Sequence, residues 1–279
     1  MEEKLLQMKS LVERLNQASD SYYNGKGELM TDYEWDALFD QLKRLEEETG
    51  EILPDSPTNR VSEDSIVGKK EEHEFAALSL AKTKQVSDLV KWAEDRPIWI
   101  SWKLDGLTLV VTYDGGILTK IVTRGNGHIG TNITHLALAI SGIPATISEK
   151  GHLVVRGEAV ISYADFEQFI IESEGDYANP RNLASGSLTL KDIEEVKQRH
   201  IQWIPFTLVY TERELTSWGE RMQMLKDLGM NPVERERIDH PTTENIQLEI
   251  DKFTEKVTSK KNPFPVDGLV ICYDDTAFA

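Results

Sequence analysis

Hydrophobic positions recur with a helical period from the N-terminus to Gly50. The first stripe predicts a helix from Glu3 to Tyr23, and its apolar face comprises Leu5, Met8, Leu11, Val12 and Leu15. A second helix is predicted after Thr31, which has Glu34 three residues on as in a capping box, and it ends at Gly50. Its apolar face comprises Trp35, Leu38, Phe39, Leu42 and Leu45. Together the two stripes predict a small helical hairpin.

The pattern changes after the polar segment Val61–Glu74, which is typical of a linker, so we expect two domains, residues 1–65 and 66–279. The predicted strands are Ile98–Trp102, the hairpin Leu109–Thr123 with its turn at Asp114-Gly115-Gly116, His152–Ile161, Ile201–Tyr210 and Pro263–Cys272. The predicted helices are Val86–Glu94, Thr131–Ile140, Ser162–Glu172, Ser217–Leu228 and Asn245–Thr258. A hairpin-rich strand pattern with interspersed helices predicts an α+β fold.

A glycine-rich segment, Gly125–Gly130, fits the GxGxxG spacing of dinucleotide-binding Rossmann units. The strand before it belongs to a hairpin, however, and no acidic residue ends a second parallel strand at the expected distance. The sequence therefore favours a glycine-rich turn at this place over a Rossmann unit.

The composition of the 279 residues is acidic, with a formal net charge of −17. Such a chain is not expected to bind a nucleic-acid phosphate backbone with its whole surface. Any nucleic-acid contact is therefore local or is supplied by another domain or chain. The single cysteine, Cys272, excludes an internal disulfide and a zinc–cysteine cluster. We expect a cytoplasmic protein, because no stretch has the length of a membrane span and the N-terminus is charged rather than signal-like.

The candidate nucleophile is Lys103, which ends an apolar strand and precedes Leu104-Asp105-Gly106. A lysine at the edge of an apolar strand can lose its proton more readily and attack an electrophile. On this tetrapeptide alone, a solvated residue beside a hairpin turn is the favoured interpretation. Similarly, Arg156-Gly157-Glu158 inside a strand is unusual for a core and is compatible with an exposed edge strand.

Five motifs that follow one another along the chain favour a functional interpretation of these residues instead. They are Lys103-Leu104-Asp105-Gly106, Thr123-Arg124-Gly125, Arg156-Gly157-Glu158, Asn179-Pro180-Arg181-Asn182 and Val266-Asp267-Gly268-Leu269-Val270-Ile271. The set resembles the adenylation domain of bacterial NAD-dependent DNA ligases, and the helical hairpin with Asp55–Thr58 resembles their nicotinamide-recognition subdomain. The resemblance covers essentially the whole chain. It implies a nucleotidyltransferase (ATP-grasp-like) domain of antiparallel sheets with flanking helices, preceded by a small helical subdomain.

The resemblance also implies a reaction. Lys103 would attack the α-phosphate of NAD, form lysyl-AMP and release nicotinamide mononucleotide, and AMP would then pass to the 5′-phosphate of nicked DNA. Asp105 would orient the site, and Arg124 would meet the adenylate and lower the pKa of the lysine. Glu158 would contact the ribose or a metal, and Asp267 would lie near the reacting centre.

The same resemblance assigns the ligands of the site. Glu158 and Asp267 would hold Mg²⁺, which prefers oxygen ligands, and Arg181 would meet phosphate. Ser79 and Leu80 match the segment that leads into the adenine pocket. The residues expected to hold the nicotinamide half are Tyr22, Tyr23, Asp32, Trp35 and Asp36, although Tyr23 and Trp35 replace the usual His and Tyr.

Several positions depart from the family pattern: Ser101, Asn126, Thr189 and Cys272 replace a Glu, an Asp, an Arg and a Lys. The chain also stops before the motif that normally closes the domain, and the OB-fold, zinc and helix-hairpin-helix segments are absent. We therefore expect weak binding to nicked double-stranded DNA, with the missing surface on a second chain that carries an OB-fold. Three functions remain open: an adenylating ligase domain, a degenerate NAD- or AMP-binding paralogue or split-ligase subunit, and a nucleotidyltransferase that uses ATP or acts on RNA.

Overall fold

The computed structural model describes residues 2–23, 29–30, 32–51, 53, 56–58, 68–77, 81, 83–125, 127–173, 177–190 and 192–278. Its first part is the predicted helical hairpin, with α1 at Glu2–Tyr23 and α2 at Asp32–Thr49. The two helices enclose a core of their own, formed by Met8, Leu11, Val12, Leu15, Leu42 and Leu45. Gly50 ends α2 in a left-handed conformation with φ of 69°, which confirms the predicted stop. The expected cap, Thr31, and the expected domain boundary near residue 65 lie outside the described residues.

The larger sheet contains four antiparallel strands in the order β4-β3-β6-β7. Their bounds are β3 Leu107–Asp114, β4 Ile117–Thr123, β6 Leu153–Val160 and β7 Gln202–Thr211. Gly115 and Gly116 form the predicted hairpin turn with positive φ at both positions. The interpretation of Arg156-Gly157-Glu158 as part of an edge strand is wrong. This strand, β6, lies inside the sheet, and Gly157 leaves room for the indole of Trp203.

The second sheet has the order β8-β2-β9 and is also antiparallel. Its strands are β2 Ile98–Leu104, β8 Arg235–Ile238 and β9 Val266–Tyr273. One face of β2 buries Ile98, Ile100 and Trp102 in a second hydrophobic core. The opposite face therefore carries the alternate residues, including Lys103.

Two predictions are wrong around a short two-stranded antiparallel ribbon. Its strands are β1 Lys70–Glu72 and β5 Ile129–Thr131, so the end of the predicted linker is a strand. The helix predicted over Thr131–Ile140 is instead a 3₁₀ turn, Thr134–Ala139. Asn132 explains its start, because its side-chain oxygen accepts hydrogen bonds from the amide and hydroxyl of Thr134 at 3.0 and 2.7 Å.

Six further helices flank the sheets in the described part of the chain: α3 Val86–Ala93, α4 Tyr163–Ser173, α5 Pro180–Ser187, α6 Ile193–Lys197, α7 Trp218–Asp227 and α8 Thr243–Thr258. Four match predicted helices within one or two residues, whereas α5 and α6 were not predicted. Asn179 caps α5 by accepting the amide of Asn182, and Pro180 occupies the first turn. Where the structure is described, none of the helices combines the length and apolarity needed to cross a bilayer.

The antiparallel strands confirm the predicted α+β fold class and exclude a Rossmann unit for the described sheets. Gly125 lies in the turn between β4 and β5, as the sequence favoured.

Candidate active site

Lys103 lies near the end of β2 with its side chain partly exposed. Its ammonium forms an ion pair with the carboxylate of Asp267 on the neighbouring strand β9. A β-bulge produces this contact. Lys103 pairs with Gly268 and Leu104 pairs with Val266, so Asp267 is the extra residue of β9. Bulges re-aim a side chain, and this one places a carboxylate on the candidate nucleophile.

A second ion pair lies immediately after Lys103. Arg181, in the first turn of α5, donates from Nη1 to Oδ1 of Asp105 at 2.6 Å. The amide of Asp105 donates to the carbonyl of Pro265 at 2.9 Å, just before Asp267. The structure therefore brings together four of the predicted site residues, Lys103, Asp105, Arg181 and Asp267.

Glu158 connects the two ion pairs to the larger sheet. It lies opposite Thr108 in the β3–β6 register and is buried. Its two oxygens accept hydrogen bonds from the Thr108 hydroxyl at 2.9 Å and the Gly106 amide at 3.2 Å. Burial raises the pKa of Glu158 to about 7, although these hydrogen bonds and the charges of Arg181 and Lys103 oppose the rise. A carboxyl group that titrates near neutrality next to two cations is typical of a functional site.

Two arginines hold a segment of chain, 73–77, across the larger sheet. Arg124 donates from Nε to the carbonyl of Ala77 at 3.1 Å. Arg156 donates from Nη2 to the carbonyls of Phe75 and Ala76 at 3.1 and 2.7 Å. These bonds fix the chain just before Ser79 and Leu80, which lie outside the described residues. They also explain why Arg156 occurs in an interior strand.

His152 anchors the same segment at its other end. Its Nδ1 lies 2.6 Å from Oδ1 of Asp114, and its Nε2 lies 2.9 Å from Oε2 of Glu74. The contact with Asp114, and then that with Glu74, raises the pKa of His152. The same contact lowers the pKa of Asp114, so its carboxylate stays ionised as the histidine titrates.

We expect this arrangement to make stability depend on pH. The folded pKa of His152 is raised, so the protonated imidazole stabilises the folded state. This stabilisation is fully present below the pKa of the unfolded chain, about 6.5, and is lost as pH rises through the folded pKa. His152→Asn should therefore lower the free energy of unfolding more at pH ~5.5 than at pH ~8.5. The difference between the two losses should be less than about 1 kcal/mol, because the carboxylates are exposed. Urea denaturation at both pH values measures the difference. The exposed His135→Asn is the control, and equal effects of His152→Asn at both pH values would contradict the expectation.

No group of three or more potential metal ligands occurs among the residues the structure describes. The two predicted Mg²⁺ ligands have different partners in this structure. Glu158 accepts from Gly106 and Thr108, whereas Asp267 pairs with Lys103.

Of the four positions that depart from the expected pattern, Asn126 lies outside the described residues and the other three are described. Ser101 is buried on the same face of β2 as Lys103. Cys272 packs beside the main core, and burial, followed by the charge of Asp274, raises the pKa of its thiol to about 12. The hydroxyl of Thr189 donates to the carbonyl of Gly186 at 2.7 Å. These three side chains are neutral and supply no cation to the site.

A further cation near the site was not predicted. Arg235 on β8 lies opposite Ser101, and burial lowers the pKa of its guanidinium. Its Nη1 donates to the carbonyl of Val233 at 3.3 Å, and its guanidinium lies 5.8 Å from the ring centre of Trp99. The alternation of charge in Arg235-Glu236-Arg237 was the available signal, but so short a charged run does not predict a strand.

The residues predicted to hold the nicotinamide half belong to the helical hairpin. The side chains of Tyr22, Tyr23, Asp32 and Asp36 lie outside the described residues. Trp35 donates from its indole nitrogen to the carbonyl of Leu15 at 3.3 Å, and its ring stacks on Phe39 with centres 4.8 Å apart. This residue therefore holds the two helices together.

Comparison with known proteins agrees with the motif order. Residues 69–279 match the family model of the NAD-dependent DNA ligase adenylation domain, and residues 1–62 match that of the DNA ligase-like N-terminal NAD⁺-binding domain. A DNA ligase of Lachnoclostridium phytofermentans is 39% identical over 284 residues, covering 100% of this chain and 43% of that protein. Another, of Ruminiclostridium cellulolyticum, is 39% identical over 284 residues, covering 100% and 42%. A DNA ligase of Leptospira biflexa is 35% identical over 273 residues, covering 95% and 40%. The chain thus spans less than half the length of these curated relatives.

Proposed function

The chain belongs to the NAD-dependent DNA ligase adenylation domain family, and we propose that Lys103 is its nucleophile. The observation that carries the proposal is the convergence of two ion pairs, Lys103–Asp267 and Asp105–Arg181, next to the buried Glu158. A lysine nucleophile, an arginine for phosphate and several carboxylates are the groups that adenylyl transfer requires.

The first step follows from this arrangement. Nζ of Lys103 attacks the α-phosphorus of NAD, a P–N bond forms, and the P–O bond to nicotinamide mononucleotide breaks. Lys103 must give up a proton for this, and Asp267 is the carboxylate placed to receive it. Arg181, oriented by Asp105, stabilises the negative charge that develops on the phosphate oxygens.

Magnesium is part of the proposal. Mg²⁺ is usually held by one or two carboxylates together with substrate phosphates and water, and the carboxylates of Glu158 and Asp267 are oxygen donors of the right kind. A bound ion would neutralise phosphate charge, and it would compete for Asp267 with Lys103.

For the helical hairpin we propose a role in holding the nicotinamide half of NAD through Tyr22, Tyr23, Asp32, Trp35 and Asp36. The match of residues 1–62 to an NAD⁺-binding family supports this role. Asp32→Ala should weaken the binding of NAD more than that of AMP, because AMP lacks the nicotinamide half. Calorimetric titration with both ligands measures the two affinities. An equal loss for NAD and AMP would mean that the hairpin only packs.

In the whole protein, AMP would pass from Lys103 to the 5′-phosphate of nicked double-stranded DNA, and the 3′-hydroxyl would then displace it. This activity, in DNA replication and repair in the cytoplasm, is proposed from the family. The charge of −17 supports weak DNA binding by this chain alone, so the remaining surface would lie on other segments or on a second chain with an OB-fold.

The neutral side chains at Ser101, Thr189 and Cys272 favour one alternative, a chain that binds NAD or AMP without transferring it. Incubation with NAD labelled in its adenylyl phosphate, and separately with ATP labelled in its α-phosphate, discriminates the functions. The proposal predicts acid-labile label on the protein from NAD only. Label from ATP would identify a different nucleotidyltransferase, and reversible binding without label would identify a binding module.

A further inference from the structure

One aromatic side chain near the candidate site is exposed. Tyr163 is the first residue of α4, and it is 44% exposed. Phe166 and Phe169 of the same helix pack against the main core, whereas Tyr163 is exposed. Its ring is thus available to a ligand.

The backbone of Tyr163 is bonded to the segment that leads to the candidate site. The amide of Tyr163 donates to the carbonyl of Pro263 at 3.0 Å, and the amide of Asp105 donates to the carbonyl of Pro265 at 2.9 Å. One short segment therefore holds both residues and leads directly to Asp267. The charge of Asp105, after burial, contributes to a raised pKa of Tyr163, which agrees with this proximity.

We propose that Tyr163 binds the DNA strand that receives AMP, by stacking on the nucleotide whose 5′-phosphate lies at the Asp105–Arg181 pair. The inference rests on the proposed function and names a contact for its second substrate. Stacking on an aromatic ring suits a chain with a net charge of −17, because the stacking contact binds a base without a cationic surface. Such a contact also accepts any DNA sequence. The nicotinamide half of NAD is assigned to the helical hairpin, which leaves this ring for the nucleic acid.

The test is the equilibrium binding of nicked duplex DNA with a 5′-phosphate, measured by fluorescence anisotropy at low salt. The variants are Tyr163→Ala, Tyr163→Phe and, as the control, Ile171→Ala, which removes an exposed apolar side chain from the same helix. Tyr163→Ala should weaken binding roughly 5- to 100-fold, the range expected for loss of one stacked base. Tyr163→Phe and Ile171→Ala should stay within about twofold of the unchanged chain, because the first keeps the ring and the second leaves it untouched.

NAD affinity is measured in parallel and should be equal in all four proteins. Unchanged DNA binding by Tyr163→Ala, no measurable DNA binding by the unchanged chain, or a matching loss of NAD affinity would each overturn the inference. The assay contains no NAD and needs no lysyl-AMP, so a failure of the adenylation chemistry leaves its result interpretable.

Discussion

Arg181→Ala should lower the rate of lysyl-AMP formation by roughly 10- to 100-fold. Arg181 is the cation that contacts Asp105 at 2.6 Å, beside the nucleophile. A charge-assisted hydrogen bond contributes about 1.5–3 kcal/mol, and its removal also leaves the carboxylate of Asp105 facing the incoming phosphate. The rate is measured from the growth of the AMP adduct by mass spectrometry under saturating NAD.

Arg213→Ala is the matched control for this variant. Arg213 forms an ion pair with Glu149 at 2.6 Å, but it is exposed and lies beyond the end of β7, which pairs with the end of β6 remote from Glu158. Its replacement should leave the rate within about twofold, as for most exposed pairs. Similar rates for Arg181→Ala and Arg213→Ala would show that Arg181 has no part in the reaction.

Gly106→Ala should reduce both stability and adenylation. A Cβ atom at this position would lie 2.2 Å from the carbonyl oxygen of Ala159, so the backbone of β6 or of the turn has to move. The Gly106 amide also donates to Glu158, and any shift disturbs that carboxylate. We expect a loss of about 3 kcal/mol in the free energy of unfolding, at the upper end for overpacking, together with a strongly reduced rate of lysyl-AMP formation.

Gly115→Ala separates this steric effect from the general cost of replacing a glycine. Gly115 lies in the β3–β4 turn with φ of 60° and has no atom within 4 Å of an added Cβ. Its replacement costs about 1 kcal/mol for the left-handed backbone and should not change the adenylation rate. Chemical denaturation and the mass assay measure both variants, and equal losses of stability would contradict the close approach of Gly106 to β6.

Local patterns in the sequence were sufficient for most strands and helices, since alternation and helical periodicity report which face is buried. They predicted β6 as a strand but not its position inside the sheet, because the partners of its charged residues are distant in sequence. Glu158 is satisfied by Gly106 and Thr108, and Arg156 by the carbonyls of the 73–77 segment. A charged residue in a strand predicts an exposed edge only when such partners are absent.

The motif order selected Lys103, Asp105, Arg181 and Asp267, which the structure brings together, but it contained no information on their pairing. The contact between Lys103 and Asp267 depends on a one-residue bulge in β9, and register irregularities of this kind have no local signature here. The position of Tyr163 depends likewise on a hydrogen bond between its backbone and Pro263, 100 residues away. Such contacts follow from tertiary structure and have no counterpart in the local sequence.

Lys103 should become covalently adenylylated when the chain is incubated with NAD and Mg²⁺, and intact-mass spectrometry measures this. We expect one added AMP on the unchanged chain, mapped by peptide fragmentation to Lys103, and none on Lys103→Ala. An adduct on Lys103→Ala, or no adduct on the unchanged chain despite measurable NAD binding, would contradict it.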